Sequence, residues 1–152
     1  IAHAMNLGYH VIAVDIDPTA VGLVIADDYD VGDICDPEFV LKCARDYKVD
    51  GIVCVSIEAS IQSAAEASRY LGLSSISTNA AAVSVNKLEQ RKHLEMAGLI
   101  VPVFNSFSSA KEAIQLATKI GYPVVVKPSD STGSKGVLYV DNPDLKSFLA
   151  LS

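Results

Sequence analysis

From Gly121 to Val137 the chain reads Gly-Tyr-Pro-Val-Val-Val-Lys-Pro-Ser-Asp-Ser-Thr-Gly-Ser-Lys-Gly-Val. This is a helix stop, a short buried strand, a lysine at its end and a loop of small residues. A second apolar run, Val137–Val140, then returns. Two strands joined through Pro128–Gly136 make a hairpin whose connection is too long for a tight turn. A loop of Ser, Thr, Asp and Gly leaves its backbone N–H groups unobstructed, so it can fold round an anion. The pleat puts Lys127 on the same face as Val125, projecting from a rigid strand. A point charge beside a donor-rich loop is a phosphate clamp. Taken singly, a strand-end lysine and a Ser/Gly loop read more simply as features of a solvated surface. The segment upstream changes that balance.

That segment, Val85–Pro102, reads Val-Asn-Lys-Leu-Glu-Gln-Arg-Lys-His-Leu-Glu-Met-Ala-Gly-Leu-Ile-Val-Pro. Lys87 opens a helix, Arg91 follows one turn later, and Ala97, Gly98 and Pro102 lead toward the next strand. Together the two segments resemble the ATP-grasp superfamily, in particular its carbamoyl phosphate synthetase, biotin carboxylase and purine ligase groups. The resemblance covers nearly the whole chain and is specific at superfamily level, not at substrate level. One departure is Asn86, where many relatives carry Asp; Asn also caps helices. The resemblance implies ATP binding by Lys87, Lys127, Ser131, Thr132, Gly133, Ser134, Lys135 and Gly136. It further implies ATP-dependent ligation of a carboxylate to an amine or other nucleophile through an acyl-phosphate. ATP and Mg²⁺ are the implied cofactors, the metal's carboxylate ligands being expected beyond Ser152 and none in this chain. The carboxylate substrate is not identified.

Composition bears on the remaining classes. Half of the 152 residues are hydrophobic, which argues against disorder. The net charge of −6 argues against nucleic acid as the main partner. Lys42, Arg45 and Lys48 are most simply the solvated side of one helix. No apolar run approaches the roughly 20 residues that span a bilayer, and without a basic leader before an apolar core no signal peptide is expected. Cys35, Cys43 and Cys54 are odd in number and lack metal-ligand spacing, so a reducing, cytoplasmic setting is expected. Cys54 reads as a small core residue of a strand. His3, His10 and His93 are assigned no role.

The expected fold class is α/β. Residues 1–82 read as a Rossmann-like parallel sheet, the pre-ATP-grasp domain, and residues 83–152 as a linker helix and the opening part of an α+β ATP-grasp domain. Ile1–Leu7 reads as a helix tail stopped by Gly8, and His10–Val14 as what would be the second strand of a doubly wound sheet. On this reading the chain is clipped before its first strand. Val11–Val14, Ala26–Val31 and Gly51–Val55 are expected in one parallel sheet, the last because its apolar character is continuous. Asp36-Pro37-Glu38 signals a helix start, followed by Val40, Cys43, Ala44 and Tyr47 at helical spacing. A helix after Glu58 carries Ile61, Ala64, Ala65 and Ser68 on its inner face and ends at Gly72. Ser109 and Glu112 form a capping box before a stripe of Ala113, Leu116, Ala117 and Ile120. A further helix starts after Asp141.

Two acidic positions are candidate substrate contacts, together with Arg91. Asp15 ends a strand where a dinucleotide-binding domain grips a ribose hydroxyl; the alternative is a polar turn of Asp15, Asp17 and Pro18. Glu58 follows the Gly51–Val55 run, at the sheet end where open α/β folds place ligands; the alternative is a helix-start glutamate favoured by the dipole. No G-x-G-x-x-G precedes Asp15, so an NAD(P)-binding oxidoreductase is a weak rival. A non-catalytic nucleotide-binding or assembly module is the rival of a different class. The loop at Ser129–Gly136 is expected to order poorly without nucleotide. The hairpin exposes one side, so association into a homo-oligomer is expected.

Overall fold

A computed structural model describes residues 1–55, 57–130, 133 and 135–142. The chain divides into two compact units, Ile1–Ala82 and Val83–Ser152. The boundary falls inside a helix.

In the first unit, helix α1 (Ala2–Asn6) ends at Leu7, and Gly8 turns the chain with φ +86°. Strand β1 (Ile12–Asp15) then pairs in parallel with β2 (Asp28–Val31), Ile12 opposite Asp28 and Asp15 opposite Val31. Strand β1 is as long as the expected Val11–Val14 run but lies one residue later, and β2 is shorter than the expected Ala26–Val31. Where β2 was expected to begin, the chain instead completes a short helix, α2 (Val21–Ile25). No side chain caps that helix, so no sequence signal announced it.

Helix α3 (Pro37–Asp46) starts as predicted. The Asp36 side chain accepts the Glu38 N–H at 3.0 Å, and Pro37 occupies the first turn, where its missing donor costs nothing. Val40, Cys43 and Ala44 are buried on its inner face. A 3₁₀ turn (Glu58–Ser60) runs into α4 (Ile61–Leu71), which Gly72 ends in the left-handed conformation at φ +68°. Helices α3 and α4 pack together. The buried positions on α4 are Ser63, Ala65, Ala67 and Ser68, with Ile61 and Ala64 only half-buried. With only Ser and Ala buried, α4 can let a packed neighbour approach closely.

The sheet itself corrects the sequence reading. Among the described residues it has two strands, and Gly51–Val55 is not one of them. The segment forms no ladder; Val53 is 84% exposed and Val55 71%, whereas Ile52 and Cys54 are half-buried. That alternation is what an extended segment shows when covered on one side only. A continuous apolar run marks a buried strand only where hydrogen-bonded neighbours and cover on both faces exist, and among the described residues β1 and β2 pair only with each other. Cys54 is correspondingly not a core residue: its Sγ lies 2.8 Å from Ser60 Oγ and 3.1 Å from the Ile57 carbonyl.

Helix α5 (Thr78–Val85), which spans the unit boundary, was also not anticipated. Its sequence, TNAAAVSV, has too little polarity to show a face. In the second unit follow α6 (Lys87–Met96) and α7 (Ala110–Ile120). At the start of α7, Ser109 Oγ accepts the Glu112 N–H at 3.3 Å. The Glu112 carboxylate reaches back to the N–H of Ser108 at 2.9 Å, one residue earlier than the standard box. Strands β3 (Val124–Val126) and β4 (Leu138–Val140) form an antiparallel hairpin in a sheet separate from β1–β2. One face of the hairpin lies on α7, where Ala113, Ala117, Val126 and Val140 make the core and Ile114, Tyr122 and Leu138 pack round it. Ile120, expected on that stripe, is 39% exposed, and Ile114 takes its place. The helix expected after Asp141 lies outside the described residues from position 143 onward.

Candidate functional site

Hairpin pleating decides where Lys127 goes. Val126 is buried against α7 at 6% exposure, so its neighbours on either side must face away from that core. Val125, 60% exposed, lies opposite Tyr139, 69% exposed, on the open face. Lys127 follows directly after the strand and is exposed. The expected common face of Val125 and Lys127 is therefore the outward one.

The connection that follows is closed at its base. Val126 pairs with Leu138, which brings the two ends of the loop together. Gly136 has φ +71°, and a Cβ there would lie 2.9 Å from Pro128 Cγ and 3.2 Å from its Cδ. Gly133 also has a left-handed backbone, at φ +64°. Lys135 is exposed and engaged in a polar interaction. Ser131, Thr132 and Ser134 lie outside the described residues.

A second segment meets this loop. The Lys87 N–H donates to the carbonyl of Ser129 at 2.8 Å. Asn86 caps the same helix end, its Oδ1 accepting from Leu88 N–H at 3.0 Å and Glu89 N–H at 3.1 Å. The next donor, Gln90 N–H, bonds the Asn86 carbonyl at 2.8 Å. The donors of the first turn of α6, which a helix normally leaves without partners, are thus all engaged. An anion at this end must be met by side chains and by the loop. Lys87 is half-buried and has a polar interaction of its own. Arg91, one turn on, is half-buried too. Lys92 instead pairs with Glu89 at 2.8 Å, an i, i+3 contact along the helix. That lysine lowers the Glu89 carboxyl below its ordinary value, chiefly through the hydrogen bond.

The substrate candidates of the first unit stand differently. Asp15 Oδ1 accepts the Asp17 N–H at 2.9 Å, and Asp17 Oδ1 accepts both the N–H and the hydroxyl of Thr19, at 2.8 and 2.7 Å. The Thr19 hydroxyl, then its N–H, hold the Asp17 carboxyl below its usual range. This is the polar turn. It occupies the carboxylates with local backbone, as Asx turns do. Glu58 opens the 3₁₀ turn and is exposed. Among the described residues no group of three His, Cys, Asp or Glu side chains could hold a metal ion. None of their helices is long and apolar enough to cross a membrane.

Residues 79–150 match a family model described as "Carbamoyl-phosphate synthase L chain, ATP binding domain". The chain is 32% identical over 151 residues to the carbamoyl phosphate synthase large chain of Pseudothermotoga lettingae. That match covers 94% of this chain and 13% of that one. It is 35% identical over 143 residues to the formate-dependent phosphoribosylglycinamide formyltransferase of Prochlorococcus marinus, covering 93% of this chain and 36% of the relative. Among solved structures, N5-carboxyaminoimidazole ribonucleotide synthetase from Thermus thermophilus superposes with a TM-score of 0.74 at 18% identity. It covers 99% of this chain and 39% of that chain. The biotin carboxylase domain of Hydrogenobacter thermophilus 2-oxoglutarate carboxylase, solved as a dimer with MgADP, ADP and bicarbonate, superposes at 0.72 with 20% identity. That match covers 97% of this chain and 35% of the other. These likenesses show an α/β fold shared with those proteins. The chain spans well under half the length of each.

Proposed function

We infer, from a chain whose resemblance to ATP-grasp enzymes these matches bear out, that it is the nucleotide-gripping portion of an ATP-dependent carboxylate ligase. On this reading residues 1–82 are a Rossmann-like pre-ATP-grasp domain and residues 83–152 open the ATP-grasp domain. One observation carries the proposal. The Lys87–Ser129 bond brings the start of α6 to the root of the loop that follows Lys127. Two ammonium-bearing residues and a glycine-containing loop thus belong to one locality of the second unit, with Lys135 in the loop itself. Positive charge so placed stabilises a nucleotide's phosphates and the charge that develops on a transferring phosphoryl group.

The reaction is ATP-dependent formation of an acyl-phosphate from a carboxylate, followed by attack of an amine or other nucleophile. Bicarbonate and formate, which appear in the names of the similar proteins, are the first substrates to try. ATP fits the donors present. Mg²⁺ does not fit any cluster of described side chains, so its ligands are assigned to other residues and no step is derived through it here. Asp15 and Asp17 are bound up in their own turn and are the weaker substrate candidates; Glu58 and Arg91 remain the ones proposed.

The test is ATP affinity of the polypeptide that carries this sequence at its natural length. Lys127→Ala removes charge-assisted bonds worth about 1.5–3 kcal/mol each, so affinity should fall roughly ten- to a hundredfold. Lys87→Ala should act in the same direction. Lys92→Ala, whose partner is Glu89, should do little. Equal losses from Lys92→Ala and Lys127→Ala would indicate diffuse attraction and refute a defined clamp. ATP turnover with a panel of carboxylates separates a ligase from a nucleotide-binding module.

A further inference from the structure

The two roots of the loop are fixed by contacts that involve no charge. At the outgoing root, Pro128 directly follows Lys127, and Ser129 gives its carbonyl to Lys87 N–H at 2.8 Å. At the returning root, Gly136 lies against the Pro128 ring so closely that a methyl group would stand 2.9 Å from Cγ. Real Cβ atoms do not approach carbon that closely, and a proline ring cannot swing aside as a long side chain can. Gly136 also has φ +71°, where a side chain is strained whatever the space. Gly133 shares the left-handed backbone at φ +64° but a Cβ there would meet nothing within 4 Å. The two loop glycines thus answer different needs: Gly133 the backbone angle alone, Gly136 the angle and the close approach.

We propose that Pro128 is a positioning residue for the phosphate clamp. Its ring is the stop against which Gly136 closes the loop, and this holds Ser129 where its carbonyl can take the Lys87 N–H. Lys87 and Lys127 are thereby set relative to one another by a single backbone unit, Lys127-Pro128-Ser129. This rests on the reading of the loop as an ATP phosphate clamp and adds a residue that touches no phosphate. If the contact between residues 128 and 136 opens, the clamp-competent fraction falls, and apparent ATP affinity falls by the same factor.

The experiment is a cycle of variants in the polypeptide at its natural length, with ATP dissociation constants measured well below the melting transition. Loss of folded protein alone would lower Tm without moving the dissociation constant of the folded fraction. Gly136→Ala should weaken ATP roughly tenfold or more. Pro128→Ala removes Cγ and Cδ, the stop itself, so it should also weaken ATP, and Pro128→Ala/Gly136→Ala should lose little more than Gly136→Ala alone because both changes open one contact. Pro128→Ala and Gly133→Ala, whose strain does not involve the ring, should instead lose affinity additively. Lys127→Ala serves as the arm for the underlying reading. If Lys127→Ala weakens ATP while Gly136→Ala binds normally, the clamp stands and the positioning role is refuted. A Pro128→Ala variant that binds ATP as wild type also refutes it. If Lys127→Ala binds as wild type, the clamp reading itself fails.

Discussion

At the scale of single residues, Cys43 shows how burial beside a carboxylate sets a group's chemistry. It is 5% exposed on α3, and its Sγ donates to Asp30 Oδ2 at 3.3 Å. Burial first, and then the Asp30 carboxylate, push its thiol from 9.0 up to about 11. Because the folded value is the higher, the stability this thiol contributes is complete below pH 9.0 and is lost as pH rises through about 11. A Tm series over that window should therefore show alkaline destabilisation that is shallower in Cys43→Ala, although that variant starts from a lower Tm. Parallel slopes in the two proteins would place the alkaline loss on other groups. The exposed Cys35 thiol is also raised, by partial desolvation and then by Asp33. Neither thiol has the depressed value that marks a reactive cysteine. The sequence alone revealed that these cysteines lacked metal spacing. It did not reveal which was buried, because Cys54, in the most apolar surroundings by sequence, is only half-covered.

At the scale of elements, what could be read was what a helix writes locally. Asp36, Asn86 and Ser109 each cap the helix they precede. Asn86 takes two N–H groups, so Asn86→Ala should cost about 1 kcal/mol, seen as a lower midpoint in thermal or denaturant unfolding. Asn86→Asp retains an acceptor and should not show that loss. A full loss in Asn86→Asp would mean that the amide group has a role besides capping. Two helices were missed: α2 has no capping side chain, and α5, although Ser77 Oγ accepts the Ala80 N–H at 3.1 Å, has no polar face to give it a period. The error at Gly51–Val55 has a different origin. Apolarity records that a segment prefers to leave water, but pairing depends on a partner strand supplied from elsewhere in the fold. The Lys87–Ser129 bond was equally illegible, since it joins backbone to backbone and leaves no trace in side-chain type. Hence the residues proposed for the clamp were chosen from the sequence, while the backbone bond joining two of their segments could not be.

At the scale of the whole molecule, the two units differ in how completely their strands are used. The hairpin of the second unit has one face on α7 and one open face with Val125 and Tyr139. In the first unit, among the described residues, β1 is laddered to β2 alone, and Gly51–Val55 runs extended without a ladder. In a parallel ladder, successive N–H groups of a strand point to opposite edges, so a strand with one neighbour secures only alternate amides. Hydrogen–deuterium exchange should read this directly. Along Ile12–Asp15, protected and fast-exchanging amides should alternate, whereas those of Ile52–Val55 should exchange without protection, at rates near those of an unstructured peptide. Uniformly slow exchange through both segments would mean that they share a neighbouring strand in solution. The extended valine segment is thus a clock in the isotope experiment, its rate reporting whether anything has come to lie beside it.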